Sequence, residues 1–139
     1  MHAGSLAALA RHLLGALPRL QVLALTGSHG KTSTKDLLGA VLADAAPTVA
    51  TRGSFNTELG LPLTVLRATE DTRFLLLEMG ARGIGHVREL CNVAPPHVGL
   101  VLNVGKAHLG EFGSQQAIAQ AIMLKRQRIQ AEAMSALDA

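Results

Sequence analysis

Aromatic side chains are nearly missing from this chain of 139 residues, which has three Phe, no Trp and no Tyr. Single-stranded nucleic acids are gripped by stacking on aromatic faces along a basic track. Here the basic residues are spread from Arg11 to Arg128, the only cluster is Lys125, Arg126 and Arg128, and the net charge is just +3. The composition therefore argues against a nucleic-acid-binding module. Cysteine is as scarce. Cys91 stands alone, so no internal disulfide and no cysteine-rich zinc site can form, which fits a reducing, cytoplasmic setting. Long apolar runs are missing too, since Arg, His, Pro or Glu interrupts every stretch before it approaches the ~18 residues of a membrane span. The Ala/Leu-rich start, Met1 to Leu17, has no basic leader and carries Arg11 and His12 inside it. It reads as a helix and not as a signal peptide.

What is present is core material. Hydrophobic residues make up 48% and charged residues 17%, enough for one packed domain at this length. Leucines at helical spacing from Leu6 to Leu17 predict an amphipathic helix over 5–17, stopped by Pro18. Short apolar runs without helical period predict buried strands at Val22–Thr26, Phe74–Met79 and Val98–Asn103, with a shorter strand at Thr48–Thr51. Between them, Lys31–Leu42, Leu63–Arg67 and Ile84–Cys91 read as helices, and Ser114 caps a long helical stretch toward the C-terminus. Strands apolar on both faces that alternate with helices predict an α/β fold, a parallel sheet flanked by helices. In such sheets ligands sit beyond the carboxyl ends of the strands. The polar residues of interest follow strand ends, at Gly27–Thr32, Glu78 and Asn103–His108.

The strongest motif is Thr26-Gly27-Ser28-His29-Gly30-Lys31-Thr32-Ser33-Thr34, between a predicted strand and a predicted helix. A phosphate chain needs exposed backbone N–H donors in a tight turn, which Gly27 and Gly30 permit, and the helix N-terminus adds partial positive charge. Lys31 would bring a point charge to the terminal phosphates and the Thr32 hydroxyl would ligate Mg²⁺. The G-x-x-G-K-T spacing is two residues shorter than the common phosphate loop. No G-x-G-x-x-G dinucleotide fingerprint occurs there. Glu78, the single charge closing an apolar strand, is either a Mg²⁺ ligand or a strand-end carboxylate turned to solvent or to Arg82. His108 could hold a metal or touch phosphate. Asn56 reads as a turn-former unless something nearby recruits it. His29 is expected to contribute its backbone alone, and His2, His12, His86 and His97 read as surface or packing residues. Cys91 reads as a small buried apolar side chain.

Taken together, TGSHGKTST (26–34), GSFNTELGLPLT (53–64), EMGARGIGHVREL (78–90) and NVGKAHLGEFGS (103–114) resemble the ATP-binding central domain of the Mur ligases, from about Leu20 to Ala121. The shortened phosphate loop is that family's own variant. The resemblance implies a P-loop NTPase-like sheet that uses ATP and Mg²⁺. It implies catalytic roles for Lys31, Glu78 and His108, and metal ligation by Thr32, Glu78 and His108. Nucleotide contacts are implied for Thr26, Gly27, Ser28, His29, Gly30, Lys31, Thr32, Ser33, Asn56 and Asn103. The phrases around Asn56 and after Glu78 are most similar to the member that joins D-alanyl-D-alanine to a UDP-N-acetylmuramoyl-tripeptide through an acyl phosphate, with no nucleic-acid or membrane partner.

Two departures shape the expectation. The family's N-terminal UDP-sugar domain and C-terminal ATP-closing domain have no counterpart here, so residues 1–19 read as a linker remnant before a partial central domain, expected to be inactive alone. Residues 122–139 read as a divergent helical tail. Ile122 stands where the family has a Lys, and Lys125 lies one turn on. The alternatives are a non-catalytic ATP-binding module or remnant, and a related amide ligase such as a folylpolyglutamate synthase.

Overall fold

The computed structural model describes residues 3–53, 55–80 and 85–103. Along them run α1 (Ala3–Gly15), β1 (Gln21–Thr26), α2 (Lys31–Ala45), β2 (Thr48–Ala50), α3 (Gly60–Val65), β3 (Phe74–Glu78), α4 (His86–Val93) and β4 (Val98–Val101). The described strands form one parallel sheet in the order β2-β3-β1-β4. Each step from one strand to the next in sequence carries a helix, as parallel pairing demands.

Strand parity sorts the side chains onto two faces. Val22 and Ala24 of β1 and Leu75 and Leu77 of β3 join a buried core with Ala10 of α1, Leu61 and Val65 of α3, and Val87, Leu90 and Cys91 of α4. Leu25, Leu76 and Glu78 have the opposite parity and are also buried. Their face is covered by α2, which packs on β1, β2 and β3. Cover on both sides is why QVLALT and FLLLE read as near-continuous apolar runs. Cys91 is buried as expected, its Sγ 3.7 Å from the Met79 sulfur.

The differences from expectation are local. Helix α1 stops at Gly15 because the chain tightens there, with Leu17 N–H donating to the Leu14 carbonyl at 3.2 Å. Helix α2 continues to Ala45 before Pro47, and α3 begins at Gly60 with Pro62 tolerated in its first turn. β4 is not the buried strand expected. Val98, Leu100 and Val101 are 52%, 41% and 40% exposed, because β4 lies at the edge of the described sheet and pairs there with β1 alone. The helix expected from Ser114, together with Arg82, His108, Ile122, Lys125 and the boundary at Ala121, lies outside the described residues. No helix among the described residues is long and apolar enough to cross a membrane.

Candidate functional site

The connection from β1 to α2 turns at Gly30, whose φ of 77° is left-handed backbone that glycine takes without strain. The helix then starts with no side-chain cap and no acidic residue in its first turn. Its leading N–H groups and its partial positive charge are therefore left for an external anion. The Lys31 ammonium lies over this turn and donates to the Gly27 carbonyl at 2.9 Å, one of its three donor positions. Asn103, just past β4, fixes the loop from the other side. Its Oδ1 accepts from the Ser28 and His29 amides at 2.8 and 3.0 Å, and its Nδ2 donates to the His29 carbonyl at 3.0 Å.

Glu78 closes β3 with the parity that faces α2, and it is 1% exposed. Thr32 Oγ1 donates to Glu78 Oε1 at 2.9 Å, and Asn56 Nδ2 donates to Glu78 Oε2. The Glu78 amide donates to Thr51 Oγ1 at 3.0 Å, and the Gly80 amide to the Asn56 carbonyl at 3.1 Å. A Cβ on Gly80 would lie 2.9 Å from Asn56 Cγ, so the glycine gives Asn56 its room. The reading of Glu78 as a carboxylate turned to solvent is thus overturned, and Asn56 is recruited out of the turn-former role. The carboxylate's hydrogen-bond partners are neutral, so its charge is solvated but not balanced by them, which is costly in a buried place. A carboxylate and a hydroxyl side by side are the hard oxygen donors that Mg²⁺ takes. Among the described residues no group of three or more His, Cys, Asp or Glu side chains converges, so a softer-metal cage has no support there.

The structure gathers Ser28, His29, Gly30, Lys31, Thr32, Ser33, Asn56 and Glu78 around one open depression of about 330 Å³ at the carboxyl ends of the strands. Three candidates from the sequence stand behind it. Thr26 donates its hydroxyl to the Met79 carbonyl at 2.7 Å and is 2% exposed, because strand parity turns it to the face away from Glu78. At Gly27 a Cβ would come within 3.1 Å of Leu102 Cβ, so its use is close approach. Asn103 holds the loop by its backbone. His108 lies outside the described residues. His97 accepts from the Val22 amide through Nδ1 at 2.9 Å, and His86 Nε2 lies 3.3 Å from Glu58 Oε2. A larger cavity of about 400 Å³, lined by Pro18, Val22 and Pro95 among others, opens at the other ends of the strands, far from these donors.

Two contributors escape the sequence reading. Thr51 looks like an ordinary strand-end residue, yet its hydroxyl takes the Glu78 amide. Lys35, next to Asp36 on a helix, carries the pattern of a solvated face, yet it is 3% exposed. Its Nζ donates to the Gly53 carbonyl at 3.2 Å and pairs with Asp36 Oδ1 at 2.7 Å. Nearby, Arg67 Nη1 donates to the Ala50 carbonyl at 2.9 Å. Burial first, and the Arg52 guanidinium second, hold the Arg67 guanidinium below its ordinary range. The end of β2 is therefore edged with positive charge.

A family model described as the Mur ligase middle domain matches residues 25–134. The UDP-N-acetylmuramoyl-tripeptide--D-alanyl-D-alanine ligase of Mycobacterium tuberculosis is 60% identical over 101 residues, which cover 73% of this chain and 20% of that protein. Among solved structures, MurF from Acinetobacter baumannii superposes with a TM-score of 0.82 at 39% identity, covering 86% of this chain and 26% of that one. MurF ligase from Thermotoga maritima, solved in complex with ADP, superposes with a TM-score of 0.80 at 42% identity, covering 87% and 28%. The chain spans between about a fifth and somewhat over a quarter of the length of these relatives.

Proposed function

The chain belongs to the Mur ligase family through its middle domain, and from that premise we propose that it is the ATP-binding part of a cytoplasmic ligase joining D-alanyl-D-alanine to a UDP-N-acetylmuramoyl-tripeptide. The observation that carries this reading is the uncapped start of α2, with Lys31 over it, facing the Thr32–Glu78–Asn56 group across one depression. In the proposed reaction a carboxylate oxygen of the nucleotide-linked peptide attacks the γ-phosphorus of ATP. The bond to the bridging oxygen breaks and ADP leaves. The amine of D-alanyl-D-alanine then attacks the acyl carbon, phosphate departs, the nitrogen loses a proton and an amide remains.

The chain's own residues would act mainly by position and charge, which dominate phosphoryl transfer. Backbone N–H groups of residues 30–33 would hold the phosphates, the Ser28 and His29 amides being taken by Asn103, and Lys31 would neutralise charge building on the transferred group. His29 would take part through its backbone alone, which Asn103 holds at both the amide and the carbonyl. Thr32 and Glu78 would hold Mg²⁺, with His108 as a further ligand, and the ion would supply positive charge against the phosphate oxygens. Asn56 would keep Glu78 aimed at Thr32, and Asn103 would keep the loop open to the phosphates. The ADP bound by the Thermotoga maritima relative supports an adenine nucleotide as the occupant.

A calorimetric titration of the chain with Mg-ATP tests this, since without Trp or Tyr intrinsic fluorescence has little to report. Saturable binding that disappears in Lys31→Ala is expected. A folded chain that binds no nucleotide overturns the reading. The substrate half is tested by grafting residues 25–103 into the Mycobacterium tuberculosis ligase. Retained ligation of D-alanyl-D-alanine supports it, and a folded, nucleotide-binding chimera that does not ligate refutes it.

A further inference from the structure

Lys35 sits one turn beyond Lys31 on α2 and is 3% exposed, although a helix lysine ordinarily lays its stem along the surface and keeps the ammonium in water. Burial of that ammonium is unfavourable unless it is paired and hydrogen-bonded. One partner is Asp36, at 2.7 Å, whose own side chain is 67% exposed. A lysine beside its neighbour in sequence could make that pair from the surface. What the buried position adds is the bond from Nζ to the Gly53 carbonyl, at 3.2 Å. Gly53 has a φ of 54° and lies in the connection between β2 and α3, the same connection that carries Thr51 and Asn56.

That connection is fastened to the end of β3. The Glu78 amide donates to Thr51 Oγ1, the Gly80 amide donates to the Asn56 carbonyl, and Asn56 Nδ2 donates to the Glu78 carboxylate. On the other side, Thr32 of α2 donates to the same carboxylate. Helix α2 therefore meets Glu78 twice, directly through Thr32 and indirectly through Lys35, Gly53 and Asn56. We propose that Lys35 is a positioning residue for the Glu78 carboxylate: by binding the Gly53 carbonyl to α2 it sets the connection at the height where Asn56 clamps Glu78 beside Thr32. Resting on the Mg-nucleotide reading above, this assigns the buried lysine to the geometry of the cation site and not to phosphate contact. Charge acting at a distance would strengthen nucleotide binding with or without Mg²⁺, whereas positioning acts only on the Mg²⁺-dependent part.

The test uses the whole chain with Lys35→Met, which keeps the stem and removes the ammonium. Amide hydrogen exchange reads the clamp without any ligand. The Gly80 amide, bonded to Asn56, should exchange about tenfold faster in the variant, while the Met79 amide, bonded to the Leu25 carbonyl, should stay within about twofold. The Mg²⁺ concentration giving half-maximal gain in ATP affinity should rise about tenfold, with affinity in EDTA unchanged. Equal acceleration at Gly80 and Met79, no change at either, or an equal loss of affinity with and without Mg²⁺ each overturns the proposal. If the native chain binds no nucleotide, the nucleotide reading fails, and the exchange comparison still decides the clamp. Lys35→Gln, too short to span to Gly53, carries the same measurements if the methionine variant does not fold. Failure of both to fold would assign Lys35 to general stability and overturn the positioning role.

Discussion

Glu78 is a carboxylate at 1% exposure whose two oxygens accept from the Thr32 hydroxyl and the Asn56 amide group, neither of which carries positive charge. A group in that condition is tolerated for what it does, and relieving it should stabilise the resting protein. Glu78→Gln keeps the shape and can still accept from Asn56. We expect it to raise unfolding stability by roughly 1 kcal/mol while abolishing the gain in ATP affinity on adding Mg²⁺. Thermal unfolding followed by circular dichroism, beside titrations with and without Mg²⁺, checks both halves. A loss of stability would mean that another group balances the charge. Lys31 and Thr32 are legible in the sequence because phosphate chemistry demands those residue types beside a glycine turn. The direction of Glu78 is not legible, since FLLLE is apolar at both parities and the sequence leaves the carboxylate between a Mg²⁺ ligand and a group turned to solvent or to Arg82. The fold decides it by putting α2 over the Leu76 face. With that face set, strand parity shows why Thr26, inside the motif, faces away. Lys35 is not legible, because burial of a lysine depends on where the next strand connection passes, and nothing local in Lys-Asp announces it.

At the scale of elements, the start of α3 is coupled to the site through close packing. A Cβ on Gly60 would lie 2.7 Å from the Phe55 carbonyl carbon and 2.8 Å from its Cα, both of them backbone atoms that cannot swing aside. Gly60→Ala must therefore displace the connection that carries Asn56, or move the helix itself, whose Leu61 and Val65 are fully buried. The expected outcome is a stability loss of about 1–3 kcal/mol together with weaker Mg²⁺-dependent ATP binding. Denaturant unfolding and calorimetry measure the two effects. An unchanged Mg²⁺ response would show that the helix yields and the connection does not. Sequence patterning finds these elements but blurs their limits. Helix α3 could not be separated from its loop by a period, because Gly60 and Pro62 are helix breakers that happen to fall in the first turn. The apolar run at β4 promised burial, and its exposure depends on sheet order, which a single strand's composition does not encode.

Over the whole molecule, the loop after β1, the connection after β2, the end of β3, Asn103 beyond β4 and the start of α2 all meet at one end of the sheet. Alternating buried strands and helices make the parallel class readable. The order β2-β3-β1-β4 is not, since right-handed crossovers permit several orders with the same local patterns. The order nevertheless decides the site, because it sets β3 beside β1 and so brings Glu78 under Thr32. A ligand that bridges these elements must stabilise the fold as a unit, and one that binds elsewhere need not depend on Lys31. At a hundred times its dissociation constant, Mg-ATP should add about 2.7 kcal/mol. For a chain of this size that is a rise in Tm of roughly 10 °C. In Lys31→Ala the rise should vanish, and with EDTA in the native chain it should shrink by the share the cation contributes. Far-UV circular dichroism is the suitable probe, given the missing Trp and Tyr. An equal rise in Lys31→Ala would place the nucleotide away from the strand carboxyl ends, with the cavity by Pro18 and Pro95 next to be tested, and the ordering of the sheet would then have no bearing on binding.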